Sequence, residues 1–219
     1  MTQDSNDSNK HESHSTESAG TDTGGGNPIK EMFLLAALYL PLGFFLWFFM
    51  ASALMFPVGR LAELALVGFY PDLFEQIVQL GFQFEIQTRI IMTQQVEGQT
   101  AALNLVINPM IYAWGMALVF GLVMATPLSG RQRLFQIVVG IAVLVPVAAW
   151  GVFWEAWRDL AFLMGAEAAA AVRSSGLSPS VIALCYQLGF LVLPGVVPIA
   201  AWILMNRAFI EQQVIRQRP

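Results

Sequence analysis

Four long apolar stretches, separated by shorter polar segments, dominate the chain after its polar beginning. About 20 helical residues, at about 1.5 Å each, cross a hydrocarbon core of about 30 Å. The first stretch is longer than this and contains Pro41, so we expect that helix to tilt or kink. The pattern predicts an α-helical integral membrane protein whose four transmembrane helices cover about residues 32–58, 109–126, 134–157 and 181–205.

The segment between the first two predicted spans, residues 59–108, changes its pattern along its length. Residues 60–80 repeat apolar side chains at near-helical spacing and predict an amphipathic helix that is broken near Pro71. Residues 82–90 then alternate strictly between apolar and polar, and residues 101–107 alternate again after a polar connection. Such alternation is typical of half-buried strands. We therefore predict a small extracytoplasmic α/β insertion that contains a β-hairpin.

The predicted hairpin needs a cover for its apolar face, because an isolated two-stranded hairpin is only marginally stable in water. The simpler interpretation is that the preceding helix or the membrane surface covers it. The alternative is a partner protein, or an extended peptide added to the hairpin edge. The candidate partner-binding residues of the hairpin are Phe82, Gln83, Phe84, Glu85, Ile86, Gln87, Leu103 and Leu105.

Small side chains recur at every fourth position of the second predicted span. Such a stripe lets another helix approach closely, so we add it to the candidate partner-binding residues. The sequence leaves open whether that other helix belongs to this chain or to a partner. Just before the stripe, Asn108 and Pro109 suit the cap and first turn of the helix. The stripe consists of Ala113, Ala117, Gly121 and Ala125.

The polar beginning of the chain differs from everything that follows. Residues 1–28 contain no aromatic residue and no Leu, Ile or Val, so we predict a disordered cytoplasmic tail before a membrane domain at 29–219. With the N-terminus inside, seven Lys and Arg residues fall on the cytoplasmic side and four outside, which predicts N-in and C-in. Residues 51–53, Ala-Ser-Ala, resemble a signal-peptidase site, but the long apolar stretch favours a retained anchor over cleavage.

Composition supports the membrane assignment and excludes several classes of function. Hydrophobic residues make up 56% and charged residues 12%, where a soluble domain carries roughly a quarter charged. The net charge of −4 argues against a nucleic-acid partner. Cys185 is the single cysteine, which excludes an internal disulfide, and both histidines lie in the polar tail. We therefore expect no metal site, no cofactor and no histidine-based catalysis.

Few residues remain that could carry chemistry. Glu155 and Asp159 share one helical face, but Arg158 lies beside them, which favours a structural role over acid–base chemistry. Cys185 has no nearby histidine or basic residue that would activate it as a nucleophile. No predicted span holds a charged residue near its middle, which ion-coupled transporters usually need. Two alternatives stay open: a subunit of a transport or channel complex, and an intramembrane enzyme that uses Glu155, Asp159 or Cys185.

The order of these features resembles the exosortase H-associated membrane proteins, a small bacterial family. The similarity covers most of residues 35–211 and rests on the stretches YLPLGFFLWF, PVGRLAEL, INPMIYAWGMAL, MATP, VAAWGVFWE and CYQLGFLVLPGVVPIAAWILMNRAFIE. The resemblance implies an inner-membrane protein that acts beside exosortase H, a transpeptidase-like protease for proteins with a C-terminal sorting signal. Exosortases use a Cys, Arg and His constellation, and this chain lacks the histidine, so it resembles the accessory and not the enzyme.

These observations together predict a non-enzymatic membrane accessory protein of an exosortase-type sorting system. Its expected partners are membrane lipid and a membrane protein, either the exosortase or its substrate. No nucleic acid or metal is expected to bind. The alternative remains a subunit of a membrane transport or channel complex.

Overall fold

The computed structural model of the protein describes residues 28–93 and 100–216. It is mostly helical and contains one small antiparallel sheet. The elements in chain order are α1 (Pro28–Phe49), α2 (Ala51–Phe69), β1 (Phe74–Leu80), β2 (Gln83–Thr93), β3 (Thr100–Ile107), α3 (Met110–Ala113), α4 (Gly115–Ala125), α5 (Gly130–Phe162), α6 (Ala166–Ser174), α7 (Pro179–Gln187), α8 (Leu193–Met205) and α9 (Arg207–Arg216). A π-helical segment, Leu188–Val192, joins α7 to α8. Apart from Pro28, the predicted disordered tail lies outside the described residues.

Three helical stretches of the described chain are long and apolar enough to cross a membrane: Ala51–Phe69, Gly130–Phe162 and Pro179–Met205. Two further apolar helices are shorter, Phe33–Phe49 and Met110–Ala125. Helices therefore cover all four predicted spans, while the number of membrane crossings stays a prediction.

The helix predicted over the first span is interrupted, and the bounds of the membrane crossing stay a prediction. The sequence predicts one helix over 32–58, whereas α1 ends at Phe49 and α2 begins at Ala51 and continues to Phe69. Met50 between them leaves helical geometry, with φ −91° and ψ 8°. Because apolar residues stand on both sides of this break, no change in hydropathy marks it. The break allows α2 to leave the line of α1 and pack against β1 and α5.

The predicted hairpin is confirmed, and it belongs to a larger sheet. The strand order is β1-β2-β3, with both pairs antiparallel. The register of the hairpin pairs Ile86 with Leu105 and Phe84 with Ile107. The large apolar residues Phe84, Ile86, Leu105 and Ile107 therefore share one face, as the alternation predicts, while Val106 and Ile91 are exposed on the other.

The predicted helix over residues 60–80 is wrong in its second half, where β1 forms. The register of β1 against β2 shifts between Phe74 and Gln76, which marks a bulge. An extra residue in a strand breaks the two-residue period, so the apolar positions of β1 look helical in the sequence. Pairing with β2 supplies backbone hydrogen bonds that stabilise the strand conformation.

The apolar face of the sheet is covered by the protein's own helices. Phe84 and Ile86 are fully buried in the same apolar cluster as Met55 of α2 and Trp157 of α5. Gly59 of α2 lies so close to Phe84 that a Cβ there would stand 3.0 Å from the Cζ atom of the ring. The simpler interpretation of the hairpin, that the preceding helix covers it, is therefore confirmed.

Candidate partner interface

The predicted partner-binding residues of the hairpin divide between the two faces of the sheet. Three of them lie in the core and could reach a partner only after the sheet left its helices: Phe84, Ile86 and Leu105. Five others reach the surface wholly or in part: Phe82, Gln83, Glu85, Gln87 and Leu103. The candidate interface is therefore reduced to the uncovered face, the strand edges and the turn.

The stripe of small residues on the second predicted span is buried inside the helical bundle. A Cβ on Gly121 would stand 2.6 Å from Cδ2 of Leu40, and one on Gly43 would stand 2.9 Å from the carbonyl oxygen of Ala117. The small residues thus allow α1 and α4 to approach closely, which answers the question that the sequence leaves open. All four members are buried, and their role in binding a partner stays a prediction: Ala113, Ala117, Gly121 and Ala125.

The uncovered face of the sheet carries polar side chains that hydrogen-bond to one another across the strands. The amide of Gln76 donates to Oε1 of Gln87 at 2.7 Å, which joins β1 to β2. The amide of Asn104 donates to Oε1 of Glu85 at 2.7 Å, which joins β3 to β2. Cross-strand polar pairs of this kind suit a face in contact with water.

The two edges of the sheet differ. At the β1 edge, Oε1 of Glu63 on α2 accepts a hydrogen bond from the backbone N–H of Ile77 at 3.4 Å. Arg60 holds the same carboxylate through its other oxygen, at 2.5 Å. Within residues 28–93 and 100–216, no side chain or loop makes such a bond to the outward backbone groups of β3. Within the described residues, one backbone position of the β1 edge is therefore capped, and the β3 edge is open.

The register shows which residues present backbone groups at the open edge. The N–H of Ile77 points away from β2, so its partner Ile86 directs its own backbone groups toward β3. Leu105, opposite Ile86, faces back toward β2. Asn104 and Val106 on either side of it therefore direct their N–H and C=O groups outward. Both residues are exposed, so an approaching extended chain could pair with them.

A buried polar cluster lies where the helical bundle meets the sheet. The hydroxyl of Tyr112 donates to Oε2 of Glu155 at 2.8 Å. Arg158 donates from Nε to Asp159 at 2.8 Å and from Nη1 to the hydroxyl of Tyr186 at 2.7 Å, and its Nη2 lies 3.5 Å from Oε1 of Glu155. The guanidinium also lies 4.5 Å from the centroid of the Tyr186 ring. These contacts tie α3, α5 and α7 together.

The geometry of this cluster favours a structural role. Arg158 contacts both carboxylates of the enzyme hypothesis, Glu155 and Asp159, and so offsets their charges. Cys185, the third residue of that hypothesis, accepts a hydrogen bond from Trp150 through its backbone carbonyl at 3.1 Å. Within the described residues, no group of three or more His, Cys, Asp and Glu side chains could hold a metal ion.

Sequence reasoning placed Glu155, Asp159 and Arg158 together on one helix and missed that Tyr112 and Tyr186 join them. Tyr112 stands 43 residues before Glu155, and no local pattern connects them. The predicted helix cap at Asn108 is the sequence feature that helps to place Tyr112. Asn108 accepts a hydrogen bond from the N–H of Met110 at 3.1 Å, which fixes the start of the helical segment and so the position of Tyr112 in its first turn. The Glu63 cap on β1 was also missed, because β1 itself was expected to be helical.

We expect Tyr112→Phe to lower the free energy of unfolding by about 1–3 kcal/mol, because it removes a hydrogen bond to a buried carboxylate. Unfolding in mixed detergent micelles measures the change. Tyr39→Phe is the matched control, since it removes a hydroxyl that bonds no other described residue. Equal losses in the two variants would contradict a stabilising role for the Tyr112–Glu155 bond.

Comparison with known proteins gives one match. The sequence model of a family described as exosortase H-associated membrane protein matches residues 26–209. This range includes the whole sheet, all helices from α1 to α8 and the polar cluster. No curated protein and no solved structure matches the chain.

Proposed function

Because the chain belongs to the exosortase H-associated membrane protein family, we propose that it is a non-enzymatic accessory subunit that binds the exosortase or its substrate. The binding surface in this proposal is the open edge of the sheet, strand β3. The protein lies in the bacterial inner membrane with four crossings, and both termini face the cytoplasm. The excess of Lys and Arg on that side supports the orientation.

The difference between the two sheet edges carries the proposal. An open edge offers unpaired backbone groups, which pair readily with another extended chain. Glu63 accepts from Ile77 at the β1 edge, whereas no side chain in residues 28–93 and 100–216 bonds the outward backbone groups of Asn104 and Val106 at β3. Main-chain hydrogen bonds give such an added strand its affinity, and the flanking side chains give specificity.

The shape of β3 suits an added strand. Ala101 and Ala102 are exposed and small, so an approaching backbone meets no bulky side chain at that end. Asn104 engages Glu85 on the uncovered face, which keeps its side chain away from the edge. A protease or transpeptidase acts on an extended segment, and a strand-like site would hold the segment in that form.

Photo-crosslinking in living cells tests this proposal. We expect a photoreactive amino acid at position 104 or 106 to give adducts with the exosortase or a sorting-signal protein. The matched positions are 76 and 78 on the same face of β1, whose edge is capped, and we expect them to give several-fold less adduct. Equal yields from both strands, or adducts with lipid and this chain alone, would overturn the proposal.

A pair of substitutions separates backbone pairing from mere proximity. Val106→Pro removes the outward N–H at a position where an edge strand tolerates proline. Val106→Thr keeps the N–H and replaces one methyl group of the side chain by a hydroxyl group. We expect the proline variant to recover several-fold less partner in co-purification and the threonine variant to retain it. Loss in both variants would assign the contact to the valine side chain and contradict strand addition.

A further inference from the structure

The turn between β1 and β2 ends in two exposed apolar side chains. Leu80 is 52% exposed and Phe82 is 41% exposed, on either side of Gly81. Gly81 has φ of +65°, which permits the tight turn. Turns that face water are usually built from small and polar residues, so two neighbouring apolar side chains at a turn indicate that another surface covers them.

Hydrogen bonds fasten this turn to the helix break between α1 and α2. The hydroxyl of Ser52 donates to the carbonyl of Gly81 at 3.0 Å. The amide of Gln79 donates to the carbonyls of Ser52 and Gly81, at 2.7 and 2.8 Å. The turn therefore lies beside the first turn of α2, at a fixed height relative to the end of α1.

The helix break itself exposes a group of large apolar side chains. Their exposed fractions are 74% for Phe49, 47% for Met50 and 61% for Phe56. Phe49, Met50 and Phe56 line one open hollow together with Gln79 and Gly81. We call Phe49, Met50, Phe56, Leu80 and Phe82 the turn patch.

The length of α1 places the turn patch at one surface of the membrane. Lys30 and Met50 are separated by 20 residues, which span about 30 Å as a helix and match the hydrocarbon thickness. Between Glu31 and Arg60 the chain carries no charged residue. If Lys30 lies at one surface, the break at Met50 and the attached turn lie at the other.

We infer that the turn patch rests in the lipid bilayer surface on the sheet side of the protein, with Leu80 and Phe82 in contact with lipid. The patch continues the lipid-facing surface of α1, on which Leu42, Phe45 and Phe48 are exposed. The turn holds the sheet against the membrane at one end, and the polar uncovered face stays in water. This inference is independent of the proposed binding to β3.

The same placement assigns α2 to the membrane surface, although its length and hydropathy would allow it to span. One side of α2 packs on the sheet, and the opposite face of the sheet carries the Gln76–Gln87 and Glu85–Asn104 pairs. If α2 spanned the membrane, these polar pairs and both sheet edges would lie in lipid. Open sheet edges do not occur there, because lipid cannot hydrogen-bond their backbone groups. Its exposed Phe56, Leu64 and Phe69 instead fit an interfacial helix.

Spin labels on the full chain in lipid vesicles test the inference. Cys185, the single cysteine, is replaced by alanine, and one cysteine is introduced at position 80, 82 or 106. Collisions of each label with oxygen, which concentrates in lipid, are compared with collisions with a water-soluble nickel complex. Val106 is the matched control, because it is an apolar residue of the same sheet that is 62% exposed.

We expect oxygen collisions to exceed nickel collisions several-fold at positions 80 and 82, and the reverse at position 106. A label at position 45 on α1 gives the value for full lipid exposure. Nickel-dominated collisions at 80 and 82 would overturn the inference by placing the turn in water. Low collisions with both reagents would also overturn it, because they would mean that protein, such as a second copy of the chain, covers the turn.

Discussion

Replacing Trp157 by alanine lowers the free energy of unfolding by about 3–5 kcal/mol, the usual cost of removing a large buried aromatic side chain. Trp157 is fully buried where α5 meets the sheet. Its ring makes edge-to-face contacts with Tyr70 and Phe74, with centroid distances of 4.6 and 5.5 Å. The substitution would therefore weaken the packing of the sheet against the helical bundle. Unfolding of the purified protein in mixed detergent micelles measures it.

Trp157→Phe is the control for this substitution. The indole N–H of Trp157 is buried and has no hydrogen-bond partner among the described residues, so phenylalanine loses volume without losing a hydrogen bond. We expect the phenylalanine variant to cost less than about 1.5 kcal/mol, as other apolar replacements of similar size do. If the alanine and phenylalanine variants lose the same free energy of unfolding, packing of the aromatic ring does not stabilise the contact between the sheet and the bundle.

Gly151→Ala destabilises the protein by about 1–3 kcal/mol or more, because the site has no room for a methyl group. A Cβ at this position of α5 would stand 2.2 Å from Cγ of Tyr112. The ring is fully enclosed, and its hydroxyl is held 2.8 Å from Glu155, so it cannot move aside without breaking that bond. The midpoint of thermal unfolding in detergent should fall accordingly.

Gly68→Ala is the control for Gly151→Ala, because the same substitution is expected not to destabilise the protein at this position. Gly68 lies in α2, and a Cβ there would meet nothing within 4 Å. Alanine is the better helix former by about 1 kcal/mol, so the variant should be neutral or more stable. Destabilisation of similar size at both glycines would show that the close contact with Tyr112 does not decide the effect.

Where a strong pattern ran without interruption, the sequence was a reliable guide to the fold. Residues 82–90 and 101–107 alternate, and the hairpin of β2 and β3 was identified from them. The apolar stretches identified the helices of the bundle, because a chain with so few charges cannot form a soluble surface. The family was identified from the apolar and punctuating residues, and the match over residues 26–209 shows it.

Two local features could not be predicted from hydropathy and periodicity. The break at Met50 separates two equally apolar helices, so nothing in the hydropathy marks it. The bulge between Phe74 and Gln76 shifts β1 out of a two-residue period, and its apolar positions then resemble a helix. In both cases the local conformation goes with packing that hydropathy does not show, of α2 against α5 and of β1 against β2.

The sequence by itself determined that this is a membrane protein with a hairpin, because periodicity and hydropathy are properties of neighbouring residues. The tertiary structure alone decided which hairpin residues can meet a partner. Phe84, Ile86 and Leu105 are enclosed by α2 and α5, whereas Asn104 and Val106 stand at an open edge. That division depends on contacts between residues far apart in the chain, such as Glu63 with Ile77, which no local pattern encodes.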